Sequence, residues 1–455
     1  MTLRNSKQSN ASMIQENRRS FIRKSLFGGV ALGGMLGAPI EDSVAAASTN
    51  VNRASSPSKL KITDMRYVTV EHMGRACSII RLDTNQDIYG YGETRDGGEV
   101  KHALTLKHLL LGQNPCNVEK LFRLVKPFGG HNRLGGGVSA VDMALWDLAG
   151  KAYSVPVWQL LGGKYRDEVR LYGDTFSDKD HDMIRSKVRA RVEEGFTWLK
   201  MLRVFRILDD VPGTQNPRKA GMLTDKGLAL ITDYLQMVRE AVGDDMPLSA
   251  DHFVGRNLDN MTRQAKALEK VKLAWIEEPI NWMKTEDLKA LRQRIHTPIA
   301  TGESIFAREN FKVLCNAQAV DYVHPDLATA GGILETKLIG DYAEDHDIKH
   351  VLHYAGTPVS FMANVHSAAA TNNHRALEFH PNKEAYPRWA NMVTATGGHP
   401  LTKRGFAPVP EAPGLGVELT MDHITTVLHP DDKRVFAPTD QGNSLEFKFL
   451  YKPNS

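Results

Sequence analysis

From about residue 170 the chain settles into a rhythm that few folds can satisfy. Short apolar runs at residues 170–173, 197–201, 247–250, 273–276, 299–302, 319–323, 350–352 and 376–379 alternate with amphipathic stretches. Runs of this length with β-branched or aromatic content read as strands, and helical patterns between them mark β/α units. Eight such units predict a closed parallel barrel rather than an open sheet. Barrels of this kind carry their chemistry at the carboxyl ends of the strands, so the polar residues there are the candidates.

Three of those ends bear an acid. Asp251 follows residues 247–250, Glu277 follows 273–276 and Glu303 follows 299–302, with separations of 26 and 26 residues. That is one β/α unit each, which sets the three carboxylates on one rim of adjacent strands. Taken singly, each reads better as a solvated rim acid. Gathered together they would repel and raise one another's pKa unless a cation sat between them. Oxygen ligands without clustered Cys or His favour a hard ion, and Mg²⁺ suits them better than zinc. The neighbouring Glu278 has the opposite strand parity and is expected to face outward.

Two further strands complete the candidate site. His324-Pro325-Asp326 ends one run, and His353 ends the next, 27 residues after Asp326. An aspartate beside a histidine can fix the imidazole tautomer and raise its basicity, as a general base near neutral pH requires. Removing a proton next to a carboxylate is difficult, and a metal that binds the developing oxyanions lowers that barrier.

The rest of the chain bounds the reading. Asn17-Arg18-Arg19-Ser20-Phe21-Ile22-Arg23-Lys24, a Gly-diluted apolar stretch over 26–40 and Ala45-Ala46-Ala47 resemble a twin-arginine export signal with its cleavage site. Residues 1–47 therefore read as a signal peptide, with export toward the periplasm and no stable membrane anchor after cleavage. The apolar stretch is short for crossing about 30 Å of hydrocarbon. Beyond residue 47 the chain holds 51 Lys and Arg against 50 Asp and Glu, which leaves no electrostatic case for a nucleic-acid partner. Cys77, Cys116 and Cys315 are odd in number and widely spaced, so they read as small buried hydrophobes. After a polar linker, residues 48–58, strand patterns at 62–70, 76–82 and 88–92 form a meander, followed by helical patterns at 100–111 and 118–125. In the next segment Val141, Ala144, Leu145 and Leu148 recur at helical spacing.

These motifs, in this order, resemble the mandelate racemase branch of the enolase superfamily over nearly the whole chain after Ser58. The residues carrying the resemblance are Ala144-Leu145-Trp146-Asp147 with Gly150-Lys151, Leu160-Leu161-Gly162-Gly163, Trp275-Ile276-Glu277-Glu278-Pro279, Gly302-Glu303, Pro325-Asp326 with Gly331-Gly332, His353, and Pro413-Gly414-Leu415-Gly416-Val417. The resemblance implies an α/β fold: a modified TIM-type (β/α)7β barrel over 166–380, with an α+β capping domain from 59–165 and a C-terminal segment, 381–455, that returns to the cap. Cap loops near 71–75 and 95–98 would close over the substrate. Glu378 matches an acid that hydrogen-bonds the substrate carboxylate, and Lys200 matches an accessory lysine.

The chain departs from the branch in two places. Many members carry Lys-x-Lys on the second barrel strand, where this chain has Lys200-Met201-Leu202, and an aliphatic Leu202 cannot move a proton. Many also carry His or Asn two residues past the first metal ligand, where Phe253 stands here. His252 comes one residue early, so a regular strand would turn it away from the metal, and it is the weaker candidate acid. An insertion, residues 205–222, offers a lid or a subunit contact. The expectation is a Mg²⁺-dependent dehydratase of a sugar acid, in which His353 takes the α-proton through a metal-stabilised enediolate and the 3-hydroxyl leaves. A sugar-acid cycloisomerase or epimerase, or a non-catalytic periplasmic sugar-acid binding protein, are the alternatives. Analogy with the family favours a homo-oligomer.

Overall fold

The structure, a computed structural model, describes residues 57–130, 135–219 and 221–444. The export signal and most of the linker read from the sequence lie outside these residues. No helix among the described residues is long and apolar enough to cross a membrane.

The cap begins as an antiparallel meander of β1 (Ile62–His72), β2 (Arg75–Thr84) and β3 (Tyr89–Glu93). Met73 and Gly74 turn β1 into β2 with φ of 52° and 73°, the double left-handed turn whose twist matches a hairpin. The helical pattern at 100–111 divides in two, Lys101–Leu104 and Lys107–Leu110. Between them the Thr105 hydroxyl donates to the His102 carbonyl and the backbone shifts to Leu106 N–H···O=C Ala103, so a side chain competes with the regular ladder.

Helix Gly136–Tyr153 lies directly on β3. Its contact strip is built from small residues, and a Cβ at Gly92 would stand 1.9 Å from the Ala140 carbonyl oxygen. The polar residues of this motif are structural. Asp147 accepts from Tyr91 N (2.9 Å) and Leu415 N (2.8 Å), and Asp142 accepts from Ile333 N (2.7 Å). One helix thus ties the cap sheet, the barrel and the C-terminal Gly-rich turn together, with its buried carboxylates satisfied by backbone donors.

Eight parallel strands close the barrel: β4 (Glu168–Phe176), β5 (Leu199–Leu202), β6 (Leu248–Ala250), β7 (Ile276–Glu277), β8 (Ile299–Thr301), β9 (Tyr322–Val323), β10 (Lys349–Leu352) and β11 (His374–Phe379). Closure pairs β11 with β4 through Leu377 with Leu171, Glu378 with Tyr172 and Phe379 with Gly173. Tyr172, Trp198, Trp275, Tyr322, Val351 and Ala376 pack as a cluster separate from the surrounding core. Those rings make the barrel interior a packed floor rather than a pore. Beyond β11 come β12 (Val393–Ala395), β13 (Phe406–Pro408) and β14 (Val417–Leu419), with β13 antiparallel to the start of β4. The chain then runs back along β1, where Glu71 N donates to the Val427 carbonyl, His429 N to Thr69 and Phe436 N to Tyr67.

A second link fastens cap to barrel. Glu93 at the end of β3 accepts from Thr357 N (2.8 Å), Thr357 Oγ1 (2.7 Å) and Ser360 N (3.0 Å), at the first turn of helix Pro358–Ala369. A carboxylate there satisfies otherwise orphaned amide groups and meets the positive end of the helix dipole.

Candidate active site

The carboxyl ends of the barrel strands face the cap across a cavity of about 120 Å³. His72, Arg75 and Arg95 line it from the cap, and Leu202, Asp251, His252, Glu303, His353, Glu378 and His380 from the barrel. Both cap loops expected from the sequence therefore contribute to it.

Lys200 is the buried centre of charge beneath the cavity. Its Nζ is 2.5 Å from Glu378 Oε1, 3.0 Å from Glu277 Oε1 and 3.7 Å from Asp174 Oδ1, with the side chain 1% exposed. Burial alone would favour the neutral amine, but the charges of Asp174, Glu277 and Glu378 win and hold its pKa well above the usual lysine value. Lys200 is therefore a fixed cation, with no lone pair to accept a proton. Glu277 receives a second bond from Trp275 Nε1 at 3.0 Å, and Tyr172 OH and Tyr354 N donate to Glu378 Oε2 at 3.0 and 3.2 Å.

Asp326 and His353 lie on neighbouring strand ends, joined by a parallel bridge. His353 Nδ1 is 2.7 Å from Asp326 Oδ2, and its Nε2 is 3.0 Å from Glu303 Oε2 and 3.6 Å from Glu378 Oε2. Arg95 from the cap donates to Asp326 Oδ2 and stands 2.8 Å from His353 Nδ1. His324, which precedes Asp326 by two residues, is buried against Tyr172 OH (2.7 Å), and burial and the Lys200 charge keep it neutral.

The acids of the rim follow the sequence expectation in place but not in parity. Glu278 takes φ of 45° just past β7, so strand alternation stops there, and its Oε1 accepts from Gly302 N at 2.8 Å. Burial, with the charges of Glu303 and Asp251 added, pushes the Glu278 carboxyl up to about 8. Glu278 thus joins the acidic group instead of facing outward. His252 likewise has φ of 61°, lines the cavity and holds its Nδ1 2.7 Å from Asp251 Oδ2. The left-handed residue after β6 defeats the parity that would have turned it away.

Burial and the charges of Asp251 and Glu378 raise the Glu277 carboxyl well above its usual range, with Lys200 opposing. Four carboxylates, those of Asp251, Glu277, Glu278 and Glu303, thus gather at one rim with raised proton affinity on two of them. An all-oxygen, negatively charged set of this kind fits a hard divalent cation. Among the described residues, the group whose ligand atoms lie within 4.8 Å of one another is His353, Glu378 and His380, which could hold a divalent ion, and the rim carboxylates are not drawn together that closely.

Three contributors were not found from the sequence: Arg95, Asp174 and His380. Asp174 shares strand parity with the inward-facing Tyr172 on β4, and that alternation was the available signal.

A barrel whose carboxyl rim is closed by an antiparallel cap has the architecture of a capped-barrel enzyme. Residues 47–162 match the mandelate racemase / muconate lactonizing enzyme N-terminal domain, and residues 183–424 match the enolase C-terminal domain-like family. The chain belongs to the mandelate racemase/muconate lactonizing enzyme branch of the enolase superfamily. It is 32% identical over 373 residues to D-xylonate dehydratase of Haloferax volcanii, covering 80% of this chain and 88% of that one. It is 31% identical over 356 residues to D-galactonate dehydratase of Verminephrobacter eiseniae, covering 75% and 88%. Among solved structures, a mandelate racemase/muconate lactonizing enzyme-like protein from Rubrobacter xylanophilus superposes with a TM-score of 0.74 at 29% identity, covering 82% of this chain and 98% of that one. The 3,6-anhydro-D-galactonate cycloisomerase of Zobellia galactanivorans superposes at 0.68 with 25% identity, covering 81% and 99%.

Proposed function

We propose that this chain, a hydro-lyase of the enolase superfamily, removes water from a sugar acid, with His353 as the base that takes the proton next to the carboxylate. The observation that carries the reading is the placement of His353. Its Nδ1 is tied to Asp326, its side chain lines the cavity, and an aliphatic Leu202 lines the same cavity in the position where the family resemblance would put a second base. One-faced proton removal suits an elimination better than racemisation. The relatives named as D-xylonate and D-galactonate dehydratases support a sugar acid as substrate.

Asp251, Glu277 and Glu303 are the proposed ligands of Mg²⁺, which when bound would offset the negative charge that develops on the substrate carboxylate. Lys200 pairs with Glu277 and Glu378 alike. His353 Nε2 takes the C2 proton, and the C–H electron pair passes into the carboxylate. Its return breaks the C3–O bond, the departing hydroxyl gains a proton to become water, and the remaining enol tautomerises to a 2-keto-3-deoxy acid. Glu378, held by Lys200, is the proposed partner of the substrate carboxylate below the cap.

The test is a screen of aldonic and aldaric acids with the Mg²⁺-loaded protein, read by mass spectrometry. Loss of one water from an acid supports the reading, and no acid losing water removes it. A cycloisomerase is the second reading, favoured by the likeness to the Zobellia enzyme, and it would leave product mass unchanged. Export by the twin-arginine route is part of the same proposal and rests on Arg18-Arg19 and the segment after them. Cell fractionation of a variant with both arginines changed to lysine should find the precursor inside, and unchanged export would count against that route.

A further inference from the structure

The cavity holds a second histidine–aspartate pair. His380 follows β11 directly and its Nδ1 is 2.5 Å from Asp174 Oδ2 on β4, while its Nε2 is 3.5 Å from Glu378 Oε1. His353 makes the matching set of contacts on the other oxygen of the same carboxylate. The two rings are 6.3 Å apart between centroids and inclined at 67°. Each imidazole thus has a buried aspartate oxygen next to its Nδ1, both residues line the cavity, and their Nε2 atoms face different oxygens of Glu378.

The surroundings fix this second pair in place. Arg191, buried on helix His181–Glu193, donates to the carbonyl of Asp174 from Nε (3.1 Å) and Nη2 (2.8 Å), to that of His380 (2.7 Å) and to that of Pro381 (2.8 Å). One guanidinium therefore clamps the backbone of both partners. Packing of this kind suits a reacting group, which must be held to a fraction of an ångström.

We propose that His380, positioned by Asp174, is the general acid that protonates the departing 3-hydroxyl. The proposal rests on the dehydratase reading above. As the C3–O bond breaks, its electron pair stays with oxygen, which takes the proton from Nε2 of the His380 imidazolium and leaves as water. The carboxylate of Asp174 balances the imidazolium before transfer, and the neutral imidazole keeps its Nδ1 proton facing that carboxylate afterwards. His252 is the rival, but its Nδ1 is bound to Asp251, one of the proposed metal ligands, and its side chain is 45% exposed.

The experiment uses His380→Gln and, as a second variant, Asp174→Asn, each with the Mg²⁺-loaded protein in D₂O and with the best acid from the wild-type screen. Water loss by His380→Gln should fall by about 10²- to 10⁴-fold. Deuterium should still enter C2 of recovered substrate, because His353 is intact. A 3-deoxy-3-fluoro analogue, whose fluoride leaves without a proton, should be turned over within a few-fold of wild type, and Asp174→Asn should show the same pattern in weaker form. Mg²⁺ affinity by calorimetry should match wild type. Unchanged water loss, loss of exchange and elimination together, an equal deficit with the fluoro analogue, or lost Mg²⁺ binding would each overturn the assignment. A wild-type protein that removes water from no acid would overturn the dehydratase reading itself, and this assignment with it.

Discussion

Arg95 of the cap and Asp326 of the barrel form a buried ion pair directly beside the imidazole of His353. The cap thus reaches the side chain of the proposed base and does not merely cover it. Asp326 Oδ2 is shared between the guanidinium and His353 Nδ1, so the charge that steadies the histidine is itself set by a residue more than 200 positions earlier. Arg95→Met would keep the apolar stem and remove the charge. We expect kcat to fall about 10- to 100-fold, as when an outer partner of a catalytic group is lost. Steady-state kinetics alongside a thermal melt checks this, and wild-type kcat in a folded variant would show that the pair only joins the domains.

The base assignment makes a graded prediction. His353→Asn retains a polar side chain of similar reach without a titratable nitrogen, and should lower kcat by 10² to 10⁴, roughly 3 to 5 kcal/mol of barrier. Asp326→Asn should cost less, because the imidazole remains. Exchange of the C2 proton with D₂O, followed by NMR, should vanish in the first variant and slow in the second. Lys200 is no substitute, since its surrounding acids hold it protonated. Wild-type exchange in His353→Asn would transfer the role to another group.

Acid stability should be limited by a buried histidine pair away from the cavity. His350 Nδ1 and His374 Nδ1 are 3.3 Å apart, a distance at which one donates and the other accepts, so the accepting nitrogen cannot take a further proton in place. Burial, with the Arg166 charge, lowers His350 to about 3, and burial, the His350 charge and the Arg166 and Arg375 charges lower His374 well below its usual value. A histidine depressed in the folded state contributes stability above its unfolded value near 6.5, and that contribution is lost as pH falls toward about 3. For His350 alone the loss is about 2 kcal/mol by pH 5. Urea denaturation at pH 7 and pH 5 should show the parent losing more stability than His350→Leu, which binds no proton. An equal loss in both would place the acid sensitivity elsewhere.

Much of this was legible in the sequence because strand ends repeat once per β/α unit. The 26-residue spacing of Asp251, Glu277 and Glu303, and the Asp326 and His353 that end the next two units, put side chains on one rim by counting alone. What counting missed has physical causes. Glu278 and His252 sit just past strand ends in left-handed conformations, where the alternation of faces no longer holds. Asp174 and His380 meet only because barrel closure brings β4 and β11 together, a contact across 206 positions that no local pattern encodes. The family helix was legible as a motif, but its Asp142 and Asp147 turn out to receive backbone donors from other parts of the chain. Arg95 was visible only as part of a cap loop, since its partner Asp326 lies on the far side of the domain boundary in sequence.

Metal-assisted removal of water by a single base is tested by chelation and reloading. The protein is stripped with excess chelator, reloaded with Mg²⁺, and incubated in D₂O with an acid selected by the screen, and product mass and deuterium content are followed in both states. No turnover is expected in chelator and, on reloading, a product lighter than the substrate by one water, before any deuterium it gains at tautomerisation. A product of unchanged skeleton mass, or water loss at the full rate in excess chelator, would contradict this mechanism.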